Sequence, residues 1–143
     1  MDVGPIVVGV DGSEASGRAL SYACGLAARS RTELVVVHVR RRPMPHAIPL
    51  ADQDPTIPME ELEAEARRLV DEVVDGCSAR WRYVTRDGDP AEELHGVARS
   101  LRASMLVVST RGSGVGARLH RIAEGSVSSW LLRHEETPLL IVR

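Results

Sequence analysis

The chain has 143 residues, a mass of 15.6 kDa and a formal net charge of -2, which suits one domain spanning 1–143 and argues against a broad nucleic-acid surface. Hydrophobic residues make up 43% and charged residues 27%, a balance that excludes wholesale disorder and allows a core needing no disulfide or metal. All 18 basic residues are arginine, so Walker-type lysine loops, Schiff-base chemistry and every other mechanism that needs an amine side chain are excluded.

Five short apolar runs alternate with longer helical patterns. The first is Ile6 to Val10, followed by Asp11-Gly12-Ser13 and a helical stripe of Ala19, Leu20, Ala23, Leu26 and Ala27. Leu34 to Val39 is the second run. Beyond it, Arg40 to Pro58 holds Pro43, Pro45, Pro49, Pro55 and Pro58, so this segment reads as a long loop, with Arg40-Arg41-Arg42 a solvated charge cluster. A second stripe carries Leu62, Ala66, Leu69, Val70 and Val73. The third run, Trp81 to Thr85, alternates in polarity, as expected of a strand nearer an edge. Asp89-Pro90 then caps a helix with Leu94, Val97, Ala98 and Leu101 on one face. Met105 to Ser109 and Leu139 to Val142 complete the strands, separated by a stripe of Val127, Trp130 and Leu131. Continuous apolar strands alternating with helices define a doubly wound α/β domain: a parallel sheet with helices on both faces and right-handed crossovers.

In such a sheet, ligands lie outside the carboxyl ends of the strands. Three segments fall there. Asp11 can accept hydrogen bonds from a ribose, or Asp11 and Ser13 can simply turn the chain and cap the first helix. Thr110 to Gly116 places Gly112, Gly114 and Gly116 beside Arg111; such a loop can direct N–H groups at an anion, or be plain surface loop. Gly125-Ser126 opens the last helix, where unpaired N–H groups of Ser126 and Val127 suit a phosphate, or Ser126 is only a cap. Catalytic signals are weak. The five histidines show no metal-ligand spacing, no serine sits in a nucleophile elbow, and His38 reads as a satisfied core or rim residue. Cys24 and Cys77 have no metal spacing and read as small buried hydrophobes. No apolar stretch reaches ~18 residues and no signal-like start is evident, so a soluble cytoplasmic protein without membrane contact is expected.

The opening IVVGVDGSEAS, the strand VVVHV, the segment GDPAEEL and the ending GSVSSWLLRHEETPLLIV resemble the universal stress protein family over nearly the whole length. The resemblance implies a five-stranded sheet in order 3-2-1-4-5 and a homodimer paired through the last strand, Pro138 to Val142. It also implies ATP or a related adenine nucleotide, with Mg2+ accompanying it, acting in a regulatory stress-response module. Carried onto this chain, Asp11 holds the ribose and Val39 lines the adenine. Ser109, Arg111, Gly112, Gly114, Gly125, Ser126 and Val127 surround the phosphates. The family's nucleotide binders carry a glycine, two residues, a glycine, nine residues, then Gly-Ser or Gly-Thr. Here Ser109 stands at the first glycine, and twelve residues separate Gly112 from Gly125. These departures define the alternative expectation, a dimeric interaction module whose pocket has lost the nucleotide. Slow nucleotide hydrolysis is the remaining possibility, with Asp11 the one evident base.

Overall fold

The computed structural model describes residues 3–41, 58–110 and 127–143. Strand β1 spans Ile6–Val10, α1 Glu14–Ser30, β2 Leu34–Arg40, α2 Met59–Val74, β3 Trp81–Asp87, α3 Pro90–Ser100, β4 Met105–Ser109, α4 Val127–His134 and β5 Leu139–Val142. The five strands form one parallel sheet in the order β3-β2-β1-β4-β5. The expected fold is therefore present, and the alternating third run does lie at an edge. Most of the proline-rich loop and the whole glycine-rich loop fall outside the described residues.

The sheet is covered on both faces, which is why its central strands carry almost no polar side chains. Val8, Val10, Leu34, Val36 and Val107 pack against Leu20, Ala23 and Cys24 of α1 and Val70 and Val74 of α2. On the other face Val7, Val35, Val37, Leu106 and Val108 meet Leu94, Val97 and Ala98 of α3 and Leu131 of α4. Each fully buried valine or leucine contributes about 1.5–3 kcal/mol through area removed from water. Ala66 and Val70 are buried as the second stripe requires, but Leu62 is 42% exposed. It lies in the first turn of α2.

Caps fix the helix starts that face the carboxyl edge. Ser13 Oγ accepts the Ser16 N–H at 3.1 Å at the head of α1. Asp89 Oδ2 accepts the Glu92 N–H at 3.0 Å at the head of α3, with Pro90 in the first turn. Each such cap satisfies an orphan donor and is worth about 1 kcal/mol. The far end of α1 closes at Arg31, which adopts a left-handed conformation with φ 52°.

One of the two cysteines departs from the sequence expectation. Cys24 is buried on α1, but Cys77, in the turn after α2, is only partly covered. Both are free thiols, and Cys77 packs against the core cluster that contains Cys24. Their separation in sequence hid a contact that the α1–α2 packing creates.

Candidate functional site at the carboxyl edge of the sheet

β1 and β4 are neighbours at the centre of the sheet, and from them the chain winds in opposite directions. This is the switch point at which doubly wound sheets leave a crevice. Asp11-Gly12-Ser13 leaves β1 there, and Ser109-Thr110 leaves β4.

The first loop is tightly self-bonded. Asp11 Oδ1 accepts the Ser13 N–H at 2.9 Å and also the Ser13 hydroxyl. Ser16, 1% exposed, donates from Oγ to Ser13 O at 2.9 Å and accepts the Asp11 N–H at 3.3 Å. The turn-and-cap role is therefore realised. Both side-chain bonds of the Asp11 carboxylate fall on one oxygen, and the residue is exposed at the edge. Gly12 adopts φ +86°, a conformation that L side chains rarely take, while the α2 backbone at Ala66 lies 3.6 Å from where a Cβ would stand. Glycine is thus required here by backbone conformation rather than by crowding.

β4 ends against β5. Thr110 N–H donates to Val142 O at 2.8 Å, and Ser109 pairs in register with Val142. Val39, at the end of β2, is half-buried and packs in the α3–α4 face, as does Val127, the first residue of α4. Asp11, Ser109, Val39 and Val127 therefore all sit at strand or helix ends on one edge. Arg111, Gly112, Gly114, Gly125 and Ser126 lie outside the described residues.

Two residues that the sequence undervalued flank this edge. His38 lies on β2 between Val10 and Thr85, and is 9% exposed. Its Nδ1 is buried without a hydrogen-bond partner among the described residues, where the sequence predicts a satisfied core or rim residue. Burial pushes its pKa below 6.5, outweighing the upward pull of Glu63 and Asp11; Arg40 adds to the lowering. Arg40 is not a merely solvated charge. Its Nε and Nη2 donate to the two carboxylate oxygens of Asp87 at 2.6 and 3.0 Å, and Nε lies 3.3 Å from Glu63 Oε1. This fork joins the ends of β2 and β3 to α2. Neither signal was readable locally, because each depends on which strands become neighbours. Among the described residues no cluster of three or more His, Cys, Asp or Glu can hold a metal ion.

Residues 3–143 match the model of the universal stress protein family. The chain belongs to the universal stress protein family. It is 32% identical to universal stress protein Rv2623 of Mycobacterium tuberculosis, covering 97% of this chain and 45% of that one. The chain thus spans about half the length of that relative. Universal stress protein YxiE of Bacillus subtilis is 29% identical, with 96% of this chain and 97% of that one covered. A universal stress protein solved in complex with cAMP superposes with a TM-score of 0.71 at 26% identity, covering 100% and 98% of the two chains. The UspA structure from Lactobacillus plantarum superposes at 0.73, with 24% identity and coverage of 100% and 99%. Among the described residues no helix is long and apolar enough to cross a membrane.

Proposed function

We propose that this universal stress protein binds an adenine nucleotide, ATP or a related species, at the crevice between the ends of β1 and β4, and serves as a nucleotide-responsive regulatory module. The observation that carries this reading is the position of Asp11 and Ser109 at the two strand ends that flank the switch point. The cAMP complex of a family relative supports it from outside the chain. In this reading the Asp11 carboxylate accepts from ribose hydroxyls, and Val39 offers an apolar wall to the base. Backbone N–H groups near Gly112 and Gly114, with those of Ser126 and Val127, receive the phosphates, where a glycine-rich loop and a helix N-terminus together favour anions. Arg111 adds a charge-assisted contact. Mg2+ accompanies the phosphates as their counter-ion in this reading.

The donor set is compatible with such a ligand. Asp11 is exposed, Gly12 holds the loop at a positive φ that disfavours any side chain, and α4 begins at Val127 on the same edge. Self-association through β5 belongs to the same proposal. Leu139 to Val142 are all half-buried at the sheet margin, and pairing with a second copy would cover their open side. Residues 1–143 act as one unit in this account, and the protein works in the cytoplasm.

A second reading keeps the fold and the dimer but not the ligand. Ser109, which adds a side chain where nucleotide binders have glycine, favours it, as does the engagement of Asp11 Oδ1 by Ser13. Isothermal titration of the purified protein with ATP and with cAMP separates the two. Saturable heat with either ligand sustains the nucleotide reading. Absence of heat for both at high protein concentration leaves the interaction module.

A further inference from the structure

The only two cysteines of the chain meet on the face of the sheet away from α3 and α4. Cys24 lies in the middle of α1 and is 7% exposed. Cys77 follows α2 in a turn held by its own N–H, which donates to Val74 O at 2.9 Å. Val73, Val74 and Ala79 belong to the same core cluster. One thiol is therefore enclosed and the other is half-open to solvent, and the half-open one packs against the core cluster that holds the enclosed one. Beside them, at the amino edge of the sheet, a groove of about 320 Å³ is lined by residues including Ala27, Ala28, Ser78 and Ala79. The groove reaches Ser78, the residue that follows Cys77.

We infer that Cys24 and Cys77 are an oxidisable thiol pair, a modification site at which hydrogen peroxide closes a reversible intramolecular disulfide between α1 and the turn after α2. The accessible sulfur reacts first. Cys77 sulfur attacks one peroxide oxygen, the O–O bond breaks, and Cys77 becomes a sulfenic acid with release of water. Cys24 sulfur then attacks the Cys77 sulfur; the S–O bond breaks, and the departing hydroxide takes the Cys24 proton to leave a second water. Peroxide is reduced by two electrons, and the two thiols are oxidised to one disulfide. A dithiol reductant reverses it by exchange through a mixed disulfide. Burial holds the Cys24 thiol protonated at neutral pH, so Cys24 resolves rather than initiates. The bridge links residues that are far apart in sequence, and so constrains the unfolded chain strongly. This inference does not depend on the nucleotide reading, because the pair lies on the α1–α2 side and away from the carboxyl edge.

The test treats the fully reduced, folded protein with hydrogen peroxide and measures intact mass without reductant. The expected product is a monomer that has lost two hydrogens and no longer takes up an alkylating reagent. Trypsin should then release the peptides Ala19 to Arg29 and Leu69 to Arg80 as one disulfide-linked species, which dithiothreitol separates. The oxidised protein should also melt at a higher temperature than the reduced one. Cys24→Ser, which retains Cys77, should yield a sulfenic or sulfinic product or a linked dimer, with no intramolecular bridge. Oxygen addition at Cys77 of the unaltered protein while Cys24 stays reduced would overturn the inference. So would disulfide-linked dimers as the main product, or two thiols that remain alkylatable after peroxide.

Discussion

His95 on α3 and Glu135, immediately beyond α4, meet with 2.7 Å between ring Nδ1 and carboxylate Oε2. The Glu135 side chain is 1% exposed, and its Oε1 accepts the Thr137 N–H at 2.9 Å. Trp130 lies edge-on to His95 and stacks on His134 at 4.3 Å between ring centroids. This cluster pins α4 to α3, and with it the helix whose first residue, Val127, lies at the carboxyl edge.

Burial by itself would raise the Glu135 pKa, but hydrogen bonds from Thr137 and His95 outweigh it and hold the carboxyl below 4.5. A depressed folded value means that the unfolded chain binds more protons as acid is added. The stabilisation is thus fully present above pH 4.5 and is lost as pH falls through the depressed value. Glu135→Gln should cost about 1–3 kcal/mol at neutral pH, the range for a hydrogen bond to a charged group whose partner is left behind. Denaturant midpoints measured across the acid range should be flatter for the variant than for the unaltered protein.

His38 loses stability in acid with the same sign as Glu135, but at higher pH and through desolvation rather than hydrogen bonding. Its pKa is lowered by burial, so the folded state prefers the neutral ring and the unfolded chain takes up the proton first. Stability should decline as pH falls from 6.5 toward the folded value, with the full penalty present below it. His38→Val removes both the titration and the unpartnered Nδ1. Relief of an unpaired buried polar group, about 1–3 kcal/mol, opposes the lost volume. We expect the variant to be no less stable than the parent at neutral pH and more stable than it in weak acid, read from thermal melts across that window.

Gly12 tests the loop that holds Asp11. At φ +86°, alanine is strained even though its Cβ would stand at an ordinary 3.6 Å from Ala66. Gly12→Ala should cost about 1–2 kcal/mol, the penalty of left-handed backbone. It should weaken nucleotide binding more than Ser21→Ala on the exposed side of α1 does, as read by titration on folded samples of both.

Cys24 provides a chemical check on the core. Burial first, and then its bond to Cys77, push its thiol up to about 12. Iodoacetamide near neutral pH should label Cys77 and leave Cys24 intact until denaturant is added. Peptide mass mapping before and after unfolding reads this directly.

The strands were legible in the sequence because a parallel sheet covered on both faces forces continuous apolar runs, as in Ile6–Val10 and Leu34–Val37. Caps were legible because Ser13 and Asp89 act on backbone within three residues of themselves. What escaped was tertiary. Cys24 with Cys77, His95 with Glu135 and Arg40 with Asp87 are each brought together by the order in which strands and helices pack, and local periodicity carries no trace of that. His38 escaped for the converse reason. Its strand position predicted burial, but not the lack of a partner, which is a property of its neighbours. Of the candidate site, Asp11, Val39, Ser109 and Val127 sit at the expected edge, and the glycine loop lies outside the described residues.

The central claim is that adenine nucleotide enters between the ends of β1 and β4. Amide resonances of isotope-labelled protein, followed while ATP is added, test it most directly. The account predicts saturable shifts concentrated at Asp11, Gly12, Val39, Ser109, Thr110 and Val127, and quiet signals from Ala27, Ala28 and Ala79 at the amino edge. Shifts confined to that amino edge, or a spectrum unmoved by ATP, would contradict it.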